Sequence, residues 1–257
     1  MSQRTDVRGE VATEGKETNI RRKRIGRLVR EEFSRKSLSY TLTAVAAVFL
    51  GFAAIPAFSS AVIPLEESER SGGVLVDLIF LAIIAILSVN TFSRSYMLIH
   101  RDPFYGWLVF LRSLPVSPKE MVFARSLIML PATIVMTALF FAPITAFSWA
   151  LDYQFDAGRY FWFVLVWLGY ALFGGGINLL LELGVGGKVV LAFQFAWLAA
   201  IIAVIWLFGG DLVLTTFELA GEYGPLAAGL ALLAGGFFFA VFAKATERRV
   251  ADREFAV

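Results

Sequence analysis

The chain has 257 residues, of which 58% are hydrophobic and 17% are charged, and its mean hydropathy is +0.71. This composition excludes an ordinary soluble domain. The formal net charge is only +2, and the chain contains no cysteine, which excludes disulfides and thiolate metal sites.

Six apolar stretches are each long enough to cross a bilayer. A hydrocarbon core of about 30 Å needs about 20 helical residues. The predicted spans are 38–63, 74–92, 126–151, 160–181, 189–208 and 225–243. Asp77 is the one charged residue within them, and it lies near enough to one end of its span to reach the lipid headgroups. We therefore predict an all-α integral membrane protein with six transmembrane helices.

The basic residues are distributed unequally between the two sides of the predicted spans. Twenty-one Lys and Arg residues fall on one side and only Arg70 and Arg159 on the other, where the loops are acidic. By the positive-inside rule both termini are cytoplasmic. We expect a basic cytoplasmic N-terminus over 1–37, a transmembrane domain over 38–243 and a cytoplasmic tail over 244–257. Since the first apolar run begins late and is long, no cleaved signal peptide is expected.

The basic segment 20–36 carries an apolar stripe. Ile25, Leu28, Val29 and Phe33 fall on one face of a helix among basic residues. This pattern predicts an interfacial elbow helix in the inner headgroup layer before the first span. The alternative is a basic flank whose apolar residues are incidental.

The connection between the second and third spans carries two helix-start signals. Asp102 can cap a helix that begins at Pro103. Ser117 can cap a second helix, with Pro118 at its first position and Glu120 completing a capping box. Between the two starts lie Phe104, Trp107, Leu108 and Leu111 on one helix face, followed by Leu114 and Pro115. We predict a folded cytoplasmic elbow over 102–120, covered by inner-leaflet lipid or by a soluble partner.

Residues 111–122, LRSLPVSPKEMV, resemble the stretch after the second span in permease subunits of type-2 ATP-binding-cassette (ABC) exporters. In that family a leucine, a small residue and a hydrophobe precede a proline, an aliphatic residue and a serine. A glutamate, aliphatic residues and a basic residue follow, and Arg125 takes the basic place here. The acidic residue and glycine that often precede this motif are matched only loosely, by Asp102 and Gly106. The six spans, the two cytoplasmic termini and the longer outer segment before the sixth span also fit the family.

The resemblance implies a plasma (inner) membrane protein of a prokaryote that works as a homodimer or heterodimer with two ATP-binding subunits. The elbow at 102–120 would be the coupling helix region that docks on those subunits. This chain would bind no cofactor, because ATP and Mg²⁺ belong to the partner. Its Gly186-Gly187-Lys188 lacks the upstream glycine and the following Ser or Thr of a phosphate-binding loop. The transported substrate is not specified by any motif.

No catalytic residue or metal site is predicted. His100 is the single histidine and lies on the cytoplasmic connection. The span amides Asn90, Asn178 and Gln194 lie at similar depth, where they either bond neighbouring helices or line a substrate path. Two alternatives to the exporter are open. One is a membrane scaffold that binds a non-ATPase partner, and the other is a secondary transporter, which the lack of ionisable residues deep in the spans disfavours.

The outer segment 209–224 mixes acidic and apolar residues. It can re-enter the membrane or lie on its surface. An ordered surface loop is equally consistent with the sequence. Small residues in 174–176 and at Ala227, Ala231 and Gly235 indicate close helix packing, or, for the glycine run, a flexible point.

Overall fold

The computed structural model describes residues 3–62, 73–87, 116–150, 156–185 and 187–252. Within these ranges the chain is almost entirely helical, as the sequence predicts. In chain order the helices are α1 (Gln3–Val62), α2 (Gly73–Leu87), α3 (Pro118–Ala150), α4 (Ala157–Gly184), α5 (Gly187–Phe208), α6 (Leu212–Glu222) and α7 (Gly224–Asp252).

Four of these helices are long and apolar enough to cross a membrane, which makes this a multi-pass membrane architecture. They are α3, α4, α7 and the Ser37–Pro56 part of α1. A fifth span is obtained when Ala192–Phe208 and Leu212–Glu222 are counted together, although they meet at 66°. The predicted second span is described as α2, whose 15 residues end at Leu87, and residues 88–92 lie outside the described ranges. The described helices thus give four or five candidate spans, where the sequence predicts six.

The basic N-terminal segment and the first span form one continuous helix. α1 has no break between the 20–36 segment and residue 38, so a separate interfacial elbow helix is not observed. Ile25, Leu28 and Val29 are half-buried, and Leu28 packs on a cluster that includes Met121. Part of the predicted lipid-facing stripe therefore contacts protein instead.

α3 begins eight residues earlier than the predicted third span. Pro118 and the rest of the first turn of α3 belong to a helix that runs without interruption to Ala150. The helix that Ser117 caps is therefore continuous with the third span. The reason is local: after Pro118 the sequence contains no residue that would stop helix propagation before the apolar run begins.

Close helix packing occurs where the sequence predicts it. A Cβ atom added to Gly169 on α4 would collide with the backbone of Ala231 on α7, and one added to Gly235 would collide with Gly169. At Gly176 a Cβ atom would lie 2.8 Å from the Cα of Phe239. The small residues allow the two backbones to approach, which is how apolar helices associate in membranes.

Two of the apolar clusters among the described residues lie at different levels of the bundle. The larger contains a set of packed rings: Phe58, Phe80, Phe140, Phe141, Phe163, Trp167 and Phe217. The smaller contains Met121, Leu183 and Val250, with Leu28 packed against it. Because Leu28 and Val250 share this second cluster, the N-terminal and C-terminal segments lie at the same end as the start of α3.

Candidate functional site

The start of α3 is closed by the predicted capping box. The Glu120 backbone N–H donates to Ser117 Oγ at 3.3 Å, and the Ser117 N–H donates to Glu120 Oε2 at 3.1 Å. Pro118 occupies the first helical position, where its missing N–H is not needed. The sequence prediction for these three residues is confirmed. The two bonds fix the direction in which the chain enters α3.

A buried ion pair lies two turns further along α3. The Nε of Arg125 donates to Glu182 Oε2 at 2.7 Å, and its Nη2 donates to Glu182 Oε1 at 2.7 Å. The side chains are only 4% and 2% exposed. Nη1 of Arg125 also donates to the Tyr40 hydroxyl at 3.3 Å. One guanidinium thus joins α3 to the last turn of α4 and to α1.

Apolar residues flank this pair on its own helices. Val122 and Met129 lie one turn on either side of Arg125, while Leu179 and Leu183 flank Glu182, and all four belong to the second cluster. In such surroundings a charge is costly unless it is paired and hydrogen-bonded. The bidentate geometry meets this requirement and makes the separation of α3 from α4 at this end unfavourable.

The predicted spans 126–151 and 160–181 leave Arg125 and Glu182 one residue beyond a span end and do not pair them. In the structure both side chains are buried and bonded to each other. A usable signal was present: a basic residue near the start of one span and an acid near the end of the next lie at the same depth when the spans are antiparallel.

Most of the predicted elbow lies outside the described residues. This applies to Asp102, Phe104, Trp107, Leu108, Leu111, Leu114 and Pro115, and also to Asn90 and His100. Of the predicted coupling residues, the structure places Ser117, Pro118 and Glu120. Ser117 is exposed, and Val116 beside it packs on the second cluster. The capped turn therefore lies at the same end of the bundle as both terminal segments.

The two described span amides differ. Asn178 Nδ2 donates to the Ala85 carbonyl at 2.9 Å and so bonds α4 to α2, which is the interhelical role. Gln194 lies on the exposed face of α5. These two amides therefore do not form one polar site.

At the opposite end, Asp77 is fully buried instead of reaching the headgroups. Its Oδ2 accepts the Leu212 N–H at 2.9 Å and its Oδ1 accepts the Val213 N–H at 2.8 Å. These donors belong to the first turn of α6, where backbone N–H groups have no partner within their own helix. Such donors, together with the helix dipole, suit a carboxylate well. The partners are more than 130 residues apart in sequence, so no local pattern indicates them.

Among the described residues, the acidic and basic side chains buried within the bundle are Asp77, Arg125 and Glu182. Each of the three is bonded to another helix, so they join helices instead of presenting a free proton carrier. Within the described ranges, no three or more His, Asp or Glu side chains are grouped to hold a metal ion.

The start of α3 is therefore bonded to two other helices. The capped turn is held to α4 and α1 through Arg125, two turns away.

Comparison with protein-family models, with curated proteins and with solved structures finds no match to this chain.

Proposed function

We propose that this chain is the membrane-spanning permease subunit of a type-2 ABC exporter, coupling ATP hydrolysis by a separate subunit to export across the plasma membrane. The observation that supports this best is the start of α3. Ser117, Pro118 and Glu120 of the family-like motif form a capped first turn, and Arg125 of the same motif joins that turn to two other helices.

In the proposed mechanism, this connection passes movement of the elbow through α3 to the other helices. ATP-driven closure of two partner subunits would push on the elbow at 102–120, immediately before the capped turn. Because Ser117 and Glu120 fix the helix start, the push would act along α3 instead of unwinding it. The bidentate Arg125–Glu182 pair would then move α4 together with α3, and access to the membrane interior would change.

In this proposal the chain has six spans, and the end of the bundle that carries Leu28, Met121 and Val250 faces the cytoplasm. The shared position of the two terminal segments supports an even number of crossings. The excess of Lys and Arg in the predicted cytoplasmic segments supports the orientation. A second permease chain and two ATP-binding subunits would complete the transporter.

Affinity capture with a partner subunit tests the proposal. The full-length chain is co-expressed with each ABC ATP-binding subunit encoded in the same genome and purified in detergent. We expect one of them to co-purify, and the purified chain alone to hydrolyse no ATP. A Trp107→Asp, Leu114→Asp variant should insert normally yet lose the partner, since burying a carboxylate in an apolar contact is costly.

Matched controls separate a lost contact from a misfolded protein. Trp206→Asp and Leu207→Asp alter strongly exposed apolar residues in the last turn of α5, away from the end of the bundle that is proposed to face the cytoplasm. These variants should capture the partner as well as the parent does in detergent. If the elbow variant captures the ATP-binding subunit as well as the parent does, the coupling role is wrong. Capture of a non-ATPase protein alone would favour a scaffold.

A further inference from the structure

The exposed side of α1 changes from apolar to basic toward the N-terminus. Its apolar members, three or four residues apart, are Leu38, Leu42, Val45, Phe49 and Phe52. Residues at that spacing share one side of a helix. The same side continues toward the N-terminus through four exposed polar residues, Ser34, Arg30, Arg27 and Lys23. On this side of α1, here called the α1 face, three cations therefore follow an exposed apolar surface.

α7 has a face of the same kind, here called the α7 face. Its exposed apolar members, again three or four residues apart, are Leu226, Leu230, Leu233, Phe237 and Val241. Lys244 and Arg248 continue this spacing, and both are exposed. Val250 of α7 shares an apolar cluster with Leu28 of α1. The basic parts of the two faces therefore lie at the same end of the bundle.

Cations outnumber acids on the basic parts of both faces. The exposed acids there are Glu31 on α1 and Asp252 at the end of α7. Glu247 lies beside the α7 face and bonds Lys244 Nζ at 2.9 Å. At the other end of the bundle, the exposed charged side chains of the described residues are all acidic: Asp156, Asp211, Glu218 and Glu222. An anionic ligand is therefore attracted to the end that carries Leu28 and Val250.

The order of apolar and basic residues along each face indicates what covers it. A phospholipid with an anionic headgroup has the same order, because its acyl chains end at a phosphate. A soluble acidic protein would match the basic parts only, since the apolar parts belong to helices long enough to cross a membrane. A second copy that packed α1 on α1 around a two-fold axis would bring like charges together, which is unfavourable.

We propose that Lys23, Arg27 and Arg30 of α1, with Lys244 and Arg248 of α7, bind the headgroups of anionic phospholipids. The apolar parts of the two faces contact the acyl chains of the same lipids. Lys and Arg side chains suit this position, because their stems lie along apolar surface while the charged ends reach the phosphates. The attraction is electrostatic and is weakened by salt. It does not depend on the proposed export function.

Lipid titration of the full-length protein in a neutral detergent tests the proposal. Phosphatidylglycerol, or phosphatidylcholine with the same acyl chains, is added at low salt. The thermal unfolding midpoint is followed, and native mass spectrometry counts the bound lipids. The α1 variant is Arg27→Gln, Arg30→Gln, and Arg27→Lys, Arg30→Lys keeps its charge. On α7, Arg248→Gln is compared with Arg249→Gln, whose Cβ lies 3.4 Å from the position of a Cβ on Gly184 of α4 and so is off the α7 face.

We expect phosphatidylglycerol to raise the midpoint of the parent more than phosphatidylcholine does, and to bind in larger number. The α1 variant should need about tenfold more phosphatidylglycerol for half of the effect, and Arg248→Gln about threefold more, since each lost cation removes part of the attraction. Arg249→Gln and the Lys variant should stay within about twofold of the parent, because they keep the cations of both faces.

Equal effects of the two lipids on the parent overturn the proposal. So does unchanged phosphatidylglycerol binding in the α1 variant, or an equal loss in Arg248→Gln and Arg249→Gln, which would reflect net charge alone. If the α1 variant does not fold, the comparison of Arg248→Gln with Arg249→Gln decides. Loss of a captured protein partner by the α1 variant, with lipid binding intact, means that protein covers this face and also overturns the proposal.

Discussion

Arg125 and Glu182 are 57 residues apart in the chain, and the structure joins them by two hydrogen bonds of 2.7 Å in the interior of the helix bundle. Their pairing defines the depth at which α3 and α4 meet. Arg125, which the sequence places in the connection before the third span, is therefore a buried contact between helices. The consequences of this joint and of the other helix contacts can be measured on the protein without knowledge of its substrate.

The first prediction concerns this ion pair. Arg125→Ala should lower the free energy of unfolding by about 3–5 kcal/mol, because it leaves the Glu182 carboxylate buried without its main partner. The double variant Arg125→Met, Glu182→Leu should lie much closer to the parent, since it removes both charges. Unfolding in mixed detergent and SDS measures both. Lys244→Ala, which breaks the exposed pair with Glu247, should cost less than about 1 kcal/mol. Equal small losses for Arg125→Ala and Lys244→Ala would contradict a buried pair.

The second prediction concerns the cap of α3. Ser117→Ala should cost about 1 kcal/mol, because the Glu120 N–H loses its acceptor while the remaining helix is unchanged. Ser117→Asp should retain most of the stability, since aspartate is also a good cap. Lys119→Ala, at an exposed neighbouring position, is the control and should have little effect. The same unfolding measurement applies. A loss at Ser117→Asp equal to that at Ser117→Ala would show that the capping bond is unimportant.

The third prediction concerns the contact between α4 and α7. Gly235→Ala should destabilise the protein by about 1–3 kcal/mol, because the added methyl group collides with the backbone of Gly169 and the helices must separate. Gly236→Ala, one position further along, meets no atom within 4 Å and should be neutral or slightly stabilising. The thermal unfolding midpoints of the Gly235→Ala and Gly236→Ala variants, measured in detergent, are compared with that of the parent protein. Similar effects at the two glycines would argue against the close approach.

The fourth prediction separates the two roles left open for the span amides. Asn178→Ala should reduce stability by about 0.6–2 kcal/mol through loss of its bond to the Ala85 carbonyl. Gln194→Ala should leave stability unchanged, because Gln194 is on the exposed face of α5. A normal unfolding midpoint for Asn178→Ala, combined with altered transport, would favour a substrate path over the interhelical role.

The fifth prediction concerns orientation in the membrane, which the distribution of Lys and Arg predicts. Cysteines introduced by Ser68→Cys and Tyr153→Cys should react with an impermeant thiol reagent added to intact cells. Ser117→Cys should react only after the cells are opened, because the capped start of α3 is proposed to face the cytoplasm. Labelling of the Ser117→Cys variant in intact cells would reverse the proposed orientation.

The sequence alone predicted the features that depend on a single helix: the apolar spans, the start of α3 and the small-residue face of α7. Long apolar runs require a bilayer or a protein core, so the membrane architecture follows from composition. Ser117, Pro118 and Glu120 predicted a helix start because a capping box involves residues only three positions apart. The small residues at Ala231 and Gly235 predicted close packing because they lie on one helix face.

Only the tertiary structure decided which distant groups meet. Asp77 looked like a residue at the membrane surface, and Arg125 and Glu182 looked like boundary charges, because sequence alone places each one by its depth in a span. Whether a charged group is solvated or paired depends on which helix lies beside it, and these partners are supplied by α6 and by the antiparallel contact of α3 with α4. A buried charge is stable only with such a partner, so its environment is a property of the assembled bundle.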